Sequence, residues 1–472
     1  MLKNKKHYRT FAMITIVAGL TLTSCSKSFL ELEPHQSVST DQALMTLGDY
    51  EAAIIGAYDG LSSSNYYGRY FVLVSDIMSD DVKQNSSANR ASDWAAYAGS
   101  STDSNSLSIN IWSQGYSVID RCNRIILNDL EVTPATQDAL DHIKGQAHAL
   151  RALVYFDLVR LYAQHYTFTA DASHMGVPLV LDIDPFQKPA RSSVKETYDL
   201  IISDLNTALG LMANGDDSFF MTRGGINGLL SRVYLYQEDW ENAAAAATQV
   251  IESNVYSLVP TANYLTVFSG DHSEETIFEI NMHETDNRGT DGLGGMYLKS
   301  GYGDYLPSKD LLDLIPVGDV RNNLYITDPD LTGNYASKRV NKYSSPIGTD
   351  NTPVIRLPEI LLNRAEAYAH IPGREDEARA DLDLVRKRGL PTAADATASG
   401  AALIEQILLE RRIELANEGH RLYDLTRNKK GVDREDCTST VCTVDYPNDK
   451  LIMAIGQYEI EVNENVEQNP GY

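Results

Sequence analysis

Ile226-Asn227-Gly228-Leu229-Leu230-Ser231-Arg232-Val233-Tyr234-Leu235-Tyr236, Gln237-Glu238-Asp239-Trp240, Glu241-Asn242-Ala243-Ala244-Ala245-Ala246-Ala247-Thr248-Gln249-Val250-Ile251 reads as helix, four-residue turn, helix. Small alanines at 243 and 247 let two helices approach closely, and Ile251 closes the packing. Residues 359–387 repeat the plan. Leu361, Leu362 and Ala365 to Tyr368 make a first helix, Pro372-Gly373 the turn, and Asp376 to Val385 a second with Ala378 at the small position. Residues 402–427 read as a further pair, Leu403 to Leu415 and Arg421 to Arg427, broken around Glu418-Gly419-His420. Helices at 143–162 and 194–212 complete a set of four hairpins. Recurrence of one supersecondary unit is the signature of a repeat scaffold, and these units resemble tetratricopeptide-type hairpins. The expected fold is mainly α, with about four hairpins, long loop-rich insertions and a few short strands.

Outward from the repeats, Asp41 to Tyr58 reads as an amphipathic helix capped by Thr40 or Asp41. Another helix runs from near Ile109 to about Asn128. Trp112 falls at helical spacing with Tyr116 and Ile119, and Trp240 fills a repeat turn, so both read as structural. The segments 60–108, 254–355 and 428–472 are loop-rich. Thr276 to Ile280 is β-like, and Gly289 to Gly303 carries six glycines in fifteen residues. Long excursions from a rigid scaffold are where binding sites concentrate.

The start of the chain carries an address. Lys3, Lys5, Lys6 and Arg9 precede an apolar run, Phe11 to Leu22, and no acid occurs before Glu31. That order is an export signal, and about twelve apolar residues fall short of the roughly twenty needed to span a bilayer. Cys25 after Leu22-Thr23-Ser24 resembles a bacterial lipobox, in which the thiol receives diacylglycerol and an acyl lipid. An ordinary secretory signal with an incidental cysteine is the alternative. The organisation expected is a removed segment 1–24, a lipidated Cys25 with a leader to 40, and one domain over 41–472.

The formal charge is −25. Loss of 1–24, with four bases and no acid, would leave 36 Lys and Arg against 65 Asp and Glu. This disfavours nucleic acid as a partner, because such binding is dominated by bases neutralising phosphates. Cys122 lies in an apolar context and reads as a buried thiol. Cys437 and Cys442 lie in a polar loop, where a local disulfide suits an exported protein better than zinc. Asp182 with Asp184, and Asp328-Pro329-Asp330, lack the ligand density of a calcium loop. No cofactor or metal is expected.

Three stretches together resemble one family. Ser28-Phe29-Leu30-Glu31-Leu32-Glu33-Pro34 is similar to the opening of mature SusD/RagB lipoproteins. Glu410 through Arg427 resembles the family's C-terminal signature, and Gln468-Asn469-Pro470-Gly471-Tyr472 its usual terminus. Arg151 to Val159 and Arg356 to Leu362 are weaker echoes. Ala454-Ile455-Gly456 departs from a Pro-Ile-Pro-like step common in members. The resemblance implies an outer-membrane lipoprotein facing the cell exterior. Such a protein partners a SusC-like TonB-dependent transporter and captures a polysaccharide or oligosaccharide, or, as a RagB-like alternative, an oligopeptide.

Sugars present flat C–H faces and hydroxyl edges, so a glycan site wants exposed aromatic rings flanked by hydrogen-bonding groups. The candidates are aromatics in polar stretches: Trp94 and Tyr97; Tyr66, Tyr67 and Tyr70; Tyr297, Tyr302 and Tyr305. Arg69, Lys83 or Arg90 could hold an anionic polymer. Asp76, Asp80 and Asp81 either bond hydroxyls or form a solvated acidic edge. Glu414, Glu418, His420 and Arg421 read as helix-terminal charge pairing rather than catalysis. No pair of carboxylates stands out as a glycosidase pair, so no enzyme is expected.

Overall fold

In the computed structural model, residues 44–99, 102 and 107–472 are described. The export signal, Cys25, the leader and the expected caps Thr40 and Asp41 lie outside them. The main helices are α1 (Leu47–Ser62), α2 (Tyr70–Ile77), α3 (Leu107–Leu127), α4 (Pro134–Tyr162), α5 (Val194–Leu211), α6 (Arg223–Tyr236), α7 (Trp240–Ile251), α8 (Leu357–His370), α9 (Glu375–Gly389), α10 (Ala401–Glu414) and α11 (Arg421–Arg427).

Helix α4 packs against both α3 and α5, α6 pairs with α7, and α8 pairs with α9 while also touching α7 and α10. Small residues set these approaches. A side chain at Gly115 would press on Leu158, one at Gly145 on Met212, and one at Gly228 on Ile355. Ala243 and Ala247 are fully buried. The caps are local chemistry. Thr222 accepts from Gly225 N at the start of α6, and Ser193 forms a capping box with Glu196 at the start of α5.

Three boundaries differ from the sequence reading. Helix α1 starts six residues later than Asp41, because Thr46 and Asp49 form a reciprocal capping box. Helix α4 starts at Pro134, nine residues before 143, where Thr133 caps it and proline suits the first turn. The pair at 402–427 does not close as a hairpin: α11 packs against α2 instead. The link between them turns through Asn417 and Gly419, both at positive φ, and Gly419 passes close against the Val72 backbone.

All sheets among the described residues are two-stranded and antiparallel. Thr276–Ile280 pairs with Thr352–Arg356, which runs directly into α8. Val82–Gln84 pairs with Tyr305–Pro307, with Gln84 opposite Tyr305. That short ladder fastens the 60–108 excursion to the one following Gly289.

The charged residues of 410–427 do pair, in a largely buried network that reaches well beyond the helix ends. Arg356 bonds Glu275, Glu414 and Glu418 at 2.6, 3.1 and 2.6 Å. Arg388 bridges Glu275 and Glu414 at 2.7 and 2.5 Å, and Arg321 reaches Asp319, Glu410 and Glu414. Burial alone would raise the Glu414 carboxyl; the guanidiniums of Arg388, Arg356 and Arg321 outweigh it and hold the group well below the usual range. His420 is buried among arginines, and burial first, then their charge, keeps its imidazole neutral.

Candidate functional site

Two loops and the start of α2 converge. Arg69 precedes α2 and sends Nη1 2.7 Å to Asp291 Oδ1. Its guanidinium also lies 4.0 Å from the centre of the Tyr70 ring. Tyr302 donates its hydroxyl to the same Asp291 oxygen at 3.0 Å. Arg90, from the serine-rich loop, lies 3.3 Å from the Tyr302 ring centre and pairs with Asp304 at 3.1 Å. Asn85 ties the two loops by bonding the backbone of Asp304 and Gly303. Two half-buried tyrosines thus sit between two arginines and two carboxylates.

Arg69 is almost wholly buried, and its Nε has no hydrogen-bond partner. The Asp291 side chain is 57% exposed and that of Arg90 32%. Desolvation acts to raise the Asp291 pKa; the Tyr302 hydroxyl, the Arg69 donor and the Arg69 charge outweigh it and hold the carboxyl below its ordinary value. The cluster therefore presents fixed donors, ionised acceptors and aromatic surface, a set that matches vicinal hydroxyls.

The other aromatics expected at the site turn inward. Tyr66 and Tyr67 are buried, and both donate to Asp157 Oδ2 at 2.9 Å. Trp94 is 3% exposed and lies directly under Gly99. Tyr97 is buried and bonds the Met78 carbonyl. Tyr297 is fully buried and donates to Asp76 at 2.7 Å, and Tyr305 donates to the Arg90 carbonyl at 2.8 Å. These six offer no exposed platform. Their polar neighbours mark a solvated backbone, while the rings serve as the plugs that anchor each loop to the body.

Asp76, Asp80, Asp81 and Lys83 are likewise buried, neither reaching for hydroxyls nor forming a solvated edge. Arg412 and Arg421 claim Asp81 and Asp80 at 2.8 and 2.7 Å, and Lys83 pairs with Asp436 at 2.7 Å. Cys437 and Cys442 form a disulfide. Its loop grips the 84–97 segment: Thr438 donates to Gln84 O at 2.7 Å and Ser439 to Ala95 O at 3.0 Å. Trp112 is buried, Trp240 stacks on His370 at 3.9 Å, and Cys122 is a buried free thiol.

Sequence reasoning missed Asp291 and Asp304. The signal for Asp291 was its place in the Gly-rich stretch, between Gly289 and Gly292. It also passed over Phe186, 86% exposed in the proline-containing connection, beside a groove of about 460 Å³ lined in part by Lys188, Glu459 and Val462.

Comparison with known proteins decides the family. A family model described as the SusD family matches residues 326–472, and one described as starch-binding associating with outer membrane matches 28–235. The crystal structure of a proposed sugar-binding protein from Bacteroides vulgatus is 31% identical, with a TM-score of 0.83 over 91% of this chain and 100% of that one. This chain belongs to the SusD family. A SusD superfamily structure from Bacteroides thetaiotaomicron matches with a TM-score of 0.83 at 27% identity, over 90% of this chain and all of that one. SusD-like protein P38 of Formosa agariphila is 26% identical over 92% of this chain and 93% of its own length. The SusD family is one of binding proteins associated with the outer membrane. Among the described residues no helix is long and apolar enough to cross a membrane.

Proposed function

We propose that this SusD-family protein captures an oligosaccharide at the outer face of the outer membrane and passes it to a TonB-dependent transporter. Cys25 carries the lipid that tethers it. The observation that supports capture is the cluster of Tyr70, Tyr302, Arg69, Arg90 and Asp291 at the meeting of three segments. Aromatic rings beside fixed donors and acceptors are what a sugar ring requires. The same cluster supports binding rather than hydrolysis. A glycosidase needs one carboxyl kept protonated as acid beside a second, free one. Asp291 is instead held ionised, and both Asp291 and Asp304 are committed to arginine.

Affinity gels containing a panel of polysaccharides test the reading. The wild type should be retarded by at least one glycan, and Tyr302→Ala should lose most of that retardation. Burial of roughly 50 Å² of ring face corresponds to about 1–1.5 kcal/mol, or about tenfold in affinity. Retardation by no glycan, together with binding of oligopeptides, would replace glycan capture with peptide capture. Cys25→Ala should release the protein from membranes without changing its fold; retention of that variant would assign the anchoring to the transporter contact.

A further inference from the structure

We infer that the ligand is a neutral glycan, with uronate and sulfated polymers excluded by the charge already built into the site. The inference rests on glycan capture at the Tyr70–Tyr302 cluster. It starts from the bases in the two stretches that carry the cluster, residues 60–108 and 284–305. Residues 60–108 contain three, Arg69, Lys83 and Arg90, and residues 284–305 contain two, Arg288 and Lys299.

Each of the five already has a carboxylate. Arg69 pairs with Asp291 at 2.7 Å, Lys83 with Asp436 at 2.7 Å, and Arg90 with Asp304 at 3.1 Å. Arg288 pairs with Asp286 at 3.0 Å and approaches Asp59 at 3.6 Å. Lys299 pairs with Asp330 and lies 3.7 Å from Asp328. No further base waits along the serine-rich loop: the next after Arg90 is Arg121.

The surplus runs the other way. Asp291 is both ionised and more than half exposed, and Asp93 is exposed with no ion-pair partner among the described residues. An incoming carboxylate or sulfate would meet guanidiniums whose charge is already neutralised and would lie beside the exposed Asp291 carboxylate. Hydroxyls meet no such conflict. They accept from the arginine edges and donate to Asp291 while the pairs stay intact. Like charge is one way a site rejects a wrong ligand, and here the exposed carboxylate that meets the ligand is that of Asp291.

The experiment uses the full-length protein and two sets of probes on affinity gels: laminarin, xyloglucan and galactomannan as neutral polymers, alginate, polygalacturonate and carrageenan as anionic ones. Retardation by a neutral polymer, unchanged between low and high salt, is the expected result, because no net charge is neutralised. Asp291→Asn should then weaken the neutral contact and admit an anionic polymer, gaining about tenfold or more with a strong salt dependence. Retardation of the wild type by any of the anionic polymers would overturn the inference and leave glycan capture standing. Retardation by neither set would overturn both.

Discussion

Arg434 is buried and joins three parts of the chain. Its guanidinium donates to the carbonyls of Ile77, Ser79 and Ala95 at 2.9, 2.7 and 2.7 Å, and to that of Val441 at 3.1 Å. Ile77 ends α2 and Ala95 ends the short helix Ser92–Ala95, so one cation caps two helix C-termini, where carbonyls lack intrahelical partners and the dipole favours positive charge. Arg434→Met keeps the bulk and removes every donor. A charge-assisted hydrogen bond contributes about 1.5–3 kcal/mol, and an orphaned buried carbonyl costs about 1–3 kcal/mol. Four bonds to one side chain relax together, so the expected loss is about 3–5 kcal/mol, a large share of a typical domain's 5–15 kcal/mol. Urea unfolding followed by indole fluorescence reads it directly, since Trp94 lies in the segment that would loosen. Arg434→Lys, with one donor head for four carbonyls, should recover only part. A loss below about 1 kcal/mol for the Met variant would refute the capping argument. So would a Lys variant no better than Met.

Other outcomes follow from the same structure. Burial pushes the Asp76 carboxyl up to about 8, reinforced by Asp81 and Glu418 and opposed by the Tyr297 hydroxyl and Lys342. Its pKa is raised on folding, so its contribution is fully present below pH 3.8 and fades as pH rises through 8; Asp76→Asn should therefore show a flatter stability profile between those limits, and an unchanged slope in urea unfolding would assign the dependence elsewhere. Removing the disulfide with Cys437→Ser and Cys442→Ser should cost about 2 kcal/mol for so short a loop. It should also raise amide exchange at 84–97, where Thr438 and Ser439 hold on; exchange confined to 437–442 would show that the loop grips nothing. Arg232→Met should be destabilising by about 3–5 kcal/mol, because it strands the buried Glu359 carboxylate that Arg232 meets twice at 2.6 Å. Urea unfolding of Arg232→Met with Glu359→Gln should recover much of that loss; no recovery would place the cost in packing.

The scaffold was legible because its signals are local. The hairpin at 226–251, the strand Thr276 to Ile280 and the approach at Ala243 and Ala247 depend on residues within a few turns of each other. The candidate site was only partly legible. Tyr70 and Tyr302 could be chosen by their polar surroundings, but so could Tyr66, Trp94 and Tyr297, which the fold buries. A polar flank reports where the backbone runs, and the side chain can still turn inward. The charged signature at 410–421 misled for a related reason: its partners Arg321, Arg356 and Asp80 lie 58 to 341 residues away, beyond any spacing rule.

The reach of those last contacts carries a further consequence for how the molecule comes into being. Asp80 and Asp81, early in the chain, find Arg421 and Arg412 more than 330 residues later, and Leu422 N bonds Ser75 in α2. Until that late segment has been synthesised, the buried carboxylates of Asp80 and Asp81 lack these counter-charges and α2 has no neighbour in α11. Pairings of such sequence separation form slowly and cannot form during elongation. The face that carries the Tyr70–Tyr302 cluster is therefore completed last, by the far end of the polypeptide. A chain broken off before about residue 410 would carry the helical hairpins and the tyrosines, yet leave the segment that bears Arg90 without its supports. Completion of the chain thus becomes the condition for display of the site.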